Sequence, residues 1–284
     1  MPTYLNTFWF DKNGHLLQLD DILALRNSQP THTPTPSPTP EPGPQPTPTP
    51  EPPAAMTIRF RFSNPDFDPN TLEMTTGTWT KVQYAAGNDW DFTRDSTSWY
   101  TAFDSKLTSD IGIVDIIDNG DLSTVTDFGC CFKTCTGLQS LKLIGTTNAT
   151  AFVDFCYGCT NLTTATITDT GNNVNWTNAF GNCSKLADFD NINMDNAMIC
   201  TNTFGRCTSL HHIKTFPASK LVSVDNLFVG CINVEYGMYD LYVELSTHGQ
   251  PWIATPSFQS CGTATESGRA ERAKIPVMWG GDLA

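Results

Sequence analysis

Basic residues are scarce in this chain. Sixteen Lys and Arg stand against 29 Asp and Glu, giving a formal net charge of −13 over 284 residues. That balance argues against nucleic acid or an anionic membrane as partner, since both repel an acidic surface. Long apolar runs are also missing. None approaches the roughly 18 residues that a membrane-spanning helix requires, so no membrane insertion is expected. The first 29 residues lack a basic start, and Asp11, Lys12 and His15 interrupt their apolar stretches, which argues against a secretion signal. Export, where it occurs, is then expected by another route, such as release on lysis. Neither a glycine-rich phosphate loop nor a Gly-x-Ser-x-Gly nucleophile turn is present, and no catalytic function or cofactor is expected.

What is present begins with proline, which is concentrated in one place. Twelve of the 19 prolines lie between Pro30 and Pro53, mostly alternating with Thr, Ser, Gln and Glu. Few backbone donors and almost no apolar side chains leave such a stretch unable to build a core. As polyproline II, at about 3.1 Å per residue, it would span on the order of 75 Å; as a disordered tether it would separate its flanks equally well. Residues 30–54 are therefore a linker. Residues 1–29 form a small module in which apolar residues flank Asn13-Gly14, a favoured hairpin turn. Too short to bury much surface alone, the module is expected to dock through Phe8, Trp9, Phe10, Leu16 and Leu17 onto another protein or onto further copies of this chain.

After the linker, Met56-Thr-Ile-Arg-Phe-Arg-Phe62 alternates as a half-buried strand does, and Thr78–Tyr84 is a second strand candidate. With Trp90, Phe92, Trp99, Tyr100 and Phe103, residues 55–105 read as a β-rich cap or small domain.

Then a repeat sets in. Cys135, Cys159, Cys183, Cys207 and Cys231 fall 24 residues apart. Three residues before each stand Phe132, Cys156, Phe180, Phe204 and Phe228; three after, Leu138, Leu162, Leu186, Leu210 and Val234. Six after come Leu141, Ala165, Phe189, Ile213 and Gly237, and seven before, Phe128, Phe152, Trp176, Cys200 and Val224. A fixed period of this length with apolar residues at set offsets predicts a mainly β and irregular solenoid of leucine-rich-repeat type, with 24-residue coils over residues 106–240. Ile111, Val114 and Ile117 suggest a degenerate first coil. Phe258-Gln-Ser-Cys261 suggests an irregular last one within residues 241–284.

The cysteine ladder is explained by packing, because a thiol behaves as a small apolar group. Five cysteines one period apart cannot all pair with one another. Cys156-x-x-Cys159 resembles half a zinc site but has no second pair at ligand spacing, so no metal is expected. Cys130 and Cys131 are the least constrained and leave room for one local disulfide.

The unit Phe-x-x-Cys-x-x-Leu-x-x-Ile, as in Phe180-Gly-Asn-Cys-Ser-Lys-Leu186 and Phe204-Gly-Arg-Cys-Thr-Ser-Leu-His-His-Ile213, resembles the BspA-like, cysteine-containing leucine-rich repeats of bacterial surface proteins. Asp121-Leu-Ser-Thr-Val-Thr-Asp-Phe128 is similar to the segment that precedes each such unit. The likeness covers roughly residues 105–265 and implies adhesion or protein binding without naming a ligand. The C-terminal Arg269-Ala-Glu-Arg-Ala-Lys-Ile-Pro-Val-Met-Trp-Gly-Gly281 resembles tails of related proteins from gut bacteria and their phages. With the anchor, spacer and head arrangement, that points to a phage fibre or decoration protein located on the virion. Such a protein would attach to a capsid or tail protein by its N-terminus and present its head to a host surface protein or glycan. A bacterial secreted or cell-surface adhesin and a purely structural virion solenoid are the alternatives, and homo-oligomers suit each.

If the residue six after each cysteine lies on a strand, its two neighbours face outward. The resulting ladder pairs Ser140 with Lys142, Thr164 with Thr166, Asp188 with Asp190, His212 with Lys214 and Tyr236 with Met238. Thr164, Thr166, Asp188, Asp190, His212, Lys214 and Tyr236 are the candidate ligand contacts, of types that suit sugars or peptides. His211-His212 lacks further residues at ligand spacing. Asp188-Phe-Asp190 alone does not make a calcium or glycosidase site.

Overall fold

The alternating Thr-Ile-Arg-Phe-Arg-Phe segment forms β1 (Thr57–Phe62). Ile58, Phe60 and Phe62 turn into the core and are buried, as the period of two requires. The structure, a computed structural model, describes residues 56–84, 87–171, 174–248 and 256–284. The chain divides into two units, Met1–Pro50 and Glu51–Ala284, and all described residues belong to the second. The docking candidates Phe8, Trp9, Phe10, Leu16 and Leu17 and the linker 30–54 lie outside them.

Two antiparallel strands, β2 (Thr80–Gln83) and β3 (Asp89–Thr93), flank β1 on one side in the order β2-β3-β1. Cross-strand register sets Arg59 opposite Asp91 and Arg61 opposite Asp89. Arg59 Nε and Nη2 donate to the two Asp91 carboxylate oxygens at 2.6 and 2.8 Å, and Arg61 holds Asp89 the same way at 2.8 and 2.9 Å. Arg59 is only 4% exposed, so its charge depends on being held by that carboxylate. Its guanidinium also lies 3.4 Å from the Tyr84 ring centroid, a cation–π contact.

On the other side of β1 the sheet changes direction. β4 (Val114–Asn119) is antiparallel to β1 but parallel to β5 (Leu138–Leu143), which is parallel to β6 (Thr164–Ile167). The sheet order is β2-β3-β1-β4-β5-β6. β7 (Val174–Asn175) and β8 (Ala197–Ile199) form a separate parallel pair. Two helices follow, α1 (Met238–His248) and α2 (Glu266–Arg272).

This topology corrects the expectation of a leucine-rich-repeat solenoid. Among the described residues the strands form one mixed six-stranded sheet and one two-stranded sheet. Beyond β6, the segments that follow each repeat cysteine carry only isolated bridges, Ile167↔Ile192 and His212↔Tyr236. The cause is local. Asp188, Asp190, Asn191 and Asn193 stand where a further strand would run, and short polar side chains compete with the ladder for backbone groups. Asn193 Oδ1, for instance, accepts from the Asp195 N–H at 3.2 Å. Farther on, Pro217 removes a donor.

Outside the strands the repeat still joins neighbouring periods through the backbone, with the Phe128, Phe152, Trp176 and Cys200 N–H groups donating to the carbonyls of Ala151, Asn175, Ile199 and Ser223 at 2.9, 2.9, 2.8 and 2.8 Å, and it aligns side chains as well. Rings one period apart lie nearly parallel: Phe128 on Phe152 at 5.2 Å, Phe152 on Trp176 at 4.5 Å, Phe180 on Phe204 at 5.7 Å and Phe204 on Phe228 at 5.3 Å between centroids. Phe258, 30 residues on, continues the last column at 6.2 Å. Backbone bridges Asp127↔Ala151 and Ala151↔Asn175 keep the same spacing. All four apolar columns are buried. At Gly237 the approach is so close that a Cβ would stand 2.0 Å from the Ile213 carbonyl oxygen, so only glycine fits.

All ten cysteines are free thiols, so Cys130 and Cys131 form no disulfide. The ladder cysteines donate to carbonyls. Cys135 Sγ reaches Phe103 O at 3.0 Å, Cys159 reaches Phe132 O at 2.9 Å, Cys183 reaches Cys156 O at 3.1 Å, Cys207 reaches Phe180 O at 3.2 Å and Cys231 reaches Phe204 O at 3.0 Å. Burial pushes the Cys131, Cys135, Cys183 and Cys207 thiols well above the usual range and raises Cys231 to about 12.

Candidate binding face

Buried residues in the column six after each cysteine fix what stands beside them. Phe189 is packed 4.5 Å from Phe204 and 5.7 Å from Phe228, which leaves Asp188 and Asp190 at its flanks. Ile213 is buried between His212 and Lys214, and Gly237 is buried next to Tyr236. Thr164 and Thr166 sit on β6, where they pair in register with Ser140 and Lys142 of β5. The expected ladder of outward strand pairs holds only there. The other candidate contacts belong to irregular chain, for the reasons given at Asp188–Asn193.

Several of them nevertheless meet. His212 Nε2 donates to Asp190 Oδ1 at 2.7 Å, and Lys214 Nζ donates to the Asp190 carbonyl at 2.9 Å. The imidazole therefore carries its proton on Nε2, because a carboxylate only accepts. The Tyr236 ring stacks on the His212 ring at 5.3 Å with 14° between planes, and the two residues share a parallel bridge. Tyr236 remains 56% exposed.

Beside this cluster lies a cleft of about 280 Å³ whose walls include Thr166, Asp190 and Lys214. Thr168, Asp169, Asn191, Asn193 and Asp195 complete the polar lining. Sequence reasoning did not select these five. The run Asp188-Phe-Asp-Asn-Ile-Asn193 carried the signal, since so many turn-forming residues predict a bend that brings neighbouring side chains onto one wall. Thr164 is exposed on β6, and Asp188 is half-buried; neither lines the cleft. The face thus combines an exposed aromatic surface, an oriented imidazole, the carboxylates of Asp169, Asp190 and Asp195, an ammonium group and two side-chain amides. It offers apolar contact and both donors and acceptors, the needs of a polyhydroxylated ligand.

Among the described residues no helix is long and apolar enough to cross a membrane. Comparison with protein-family models, with curated proteins and with solved structures finds no match.

Proposed function

We propose that this chain is a non-catalytic recognition protein of a phage virion, attached by residues 1–29 and spaced by residues 30–54 from a head that binds a host-surface glycan. The observation that carries the recognition role is the His212–Tyr236 stack, held on one side by Asp190 and left open to solvent at Tyr236. A sugar ring lays its C–H face on such an aromatic surface while its hydroxyls bond Asp190, Lys214 and the Thr and Asn side chains of the adjoining cleft. The attachment role rests on sequence. An aromatic and leucine-rich segment too small to fold alone needs a larger surface, here a capsid or tail protein.

The test is binding of the full-length chain to host-surface polysaccharide, with Tyr236→Ala beside it. The reading expects binding that the substitution weakens at least about tenfold, equivalent to about 1.4 kcal/mol. Particles assembled with the chain lacking residues 1–29 should contain none of it. Normal incorporation of that deletion would refute the attachment role, and unchanged binding by Tyr236→Ala would refute the face.

A further inference from the structure

A second cleft, of about 360 Å³, shares no lining residue with the first. Its walls hold Tyr157, Asn182, Asn202, Gly205, Arg206 and Asn226. Asparagines recur at 178, 202 and 226, and all three have left-handed backbone, with φ of 55°, 52° and 54°. Asparagine tolerates that conformation better than most residues. The conformation explains why asparagine stands there, and the side chains remain to be accounted for.

Those side chains form a directed chain. Lys133 Nζ donates to Asp154 Oδ2 at 2.9 Å, Asn178 Nδ2 donates to Asp154 Oδ1 at 2.9 Å, and Asn202 Nδ2 donates to Asn178 Oδ1 at 2.8 Å. Every donor is turned toward Asp154, so Asn202 ends the series with its carbonyl oxygen as an acceptor at the cleft. Gly205 makes room for it, since a Cβ there would stand 1.9 Å from Asn202 Oδ1. The side-chain amides of Asn182 and Asn226 and the guanidinium of Arg206 make no hydrogen bond or ion pair with any described residue.

Arg206 has a φ of 61°, a left-handed value that recurs at the same position in Thr134, Gly158, Asn182 and Gly230. A long side chain in left-handed backbone carries a conformational cost. The arginine stem runs past Gly230, where a Cβ would lie in ordinary contact, 3.4 Å from Arg206 Cγ. No carboxylate lines the cleft, although the chain carries a net charge of −13. A permanently charged guanidinium with no counter-ion is a ready site for a planar anion.

We infer that this cleft binds a carboxylate-bearing saccharide, with the carboxylate on Arg206 and ring hydroxyls bridging Asn202 Oδ1 and the amides of Asn182 and Asn226. A hydroxyl both donates and accepts, which suits a row containing one acceptor end and unused amides. The site stands apart from the Tyr236 face and does not depend on it.

Titration calorimetry of the full-length chain with a galacturonic-acid trimer, a galactose trimer and acetate tests this. The acidic trimer should bind at least about tenfold more tightly than the neutral one. Arg206→Gln should erase that gap, leaving neutral binding within about twofold, whereas Arg206→Lys should keep part of it. Asn226→Ala should weaken both trimers several-fold, and Tyr236→Ala should leave the gap intact. Equal binding of the two trimers by the parent chain, a gap that survives Arg206→Gln, or loss of the gap in Tyr236→Ala would each overturn the assignment. Acetate binding as tightly as the acidic trimer would overturn its saccharide part. Unfolding midpoints matching the parent chain verify that the Arg206 variants are folded.

Discussion

The two halves of the six-stranded sheet are held by different means. On the β2-β3-β1 side, antiparallel strands are tied by ladder hydrogen bonds and by Arg59–Asp91 and Arg61–Asp89 across the register. On the β4-β5-β6 side and beyond, strands shorten and give out. Aromatic columns and thiol-to-carbonyl bonds continue where the strands end. Regular strands are therefore not a precondition for keeping residues one period apart in contact. A continuous apolar interior does that together with backbone bonds between irregular segments, such as Phe180 N–H to Thr203 O at 2.8 Å and Phe204 N–H to Leu227 O at 3.0 Å. Freed from the ladder, the chain between Asp188 and Asp195 bends and builds a polar wall.

The sharpest way to break this contrast is alkali. A buried thiol with raised pKa stabilises the fold fully below about pH 9. That contribution is lost as pH climbs through the window in which unfolded cysteine ionises and folded cysteine does not. For Cys231 the window reaches about 12. Each such thiol costs roughly 1.4 kcal/mol per pH unit there, and with several present the column region should unfold between about pH 9 and 11. The paired arginines keep their charge throughout, so they contribute no such loss. Unfolding midpoints from pH 7 to 11 decide it, and a flat profile would sink the idea. Next in size, Trp176→Ala removes a ring from the middle of a stack and should cost about 3–5 kcal/mol by denaturant titration. Asp91→Ala strips the carboxylate from the buried Arg59 and should cost about 3 kcal/mol. Comparable losses from both would mean that each half matters, and a negligible loss from Asp91→Ala would remove the ion pair from the comparison. Cys207→Ala should cost only about 1 kcal/mol, because Phe180 O also accepts from the Cys183 N–H at 3.1 Å.

The columns were legible in the sequence because burial selects residue type at every period, and Phe128, Phe152 and Trp176 declare it. Architecture was not legible from the same pattern. Period fixes which side chains are neighbours but not whether the chain between them forms strands, and Asp188, Asp190 and Asn193 decide that locally. The antiparallel β1 joining parallel β4 and β5 in one sheet is a long-range pairing with no local signature. Part of the candidate face was readable: Asp190, His212, Lys214 and Tyr236 converge because Phe189, Ile213 and Gly237 beside them are buried. Asn202 and Arg206 were passed over because they lie outside the apolar columns. Their signal was asparagine recurring at 178, 202 and 226.

The sulfur atoms carry one more consequence. Because all ten are free thiols, and those of the ladder donate to carbonyl oxygens, the fold is built without a disulfide. The chain needs no oxidant to mature and has no cross-link for a reductant to open. Moving between a reducing interior and an oxidising exterior thus leaves every bond that holds it unchanged.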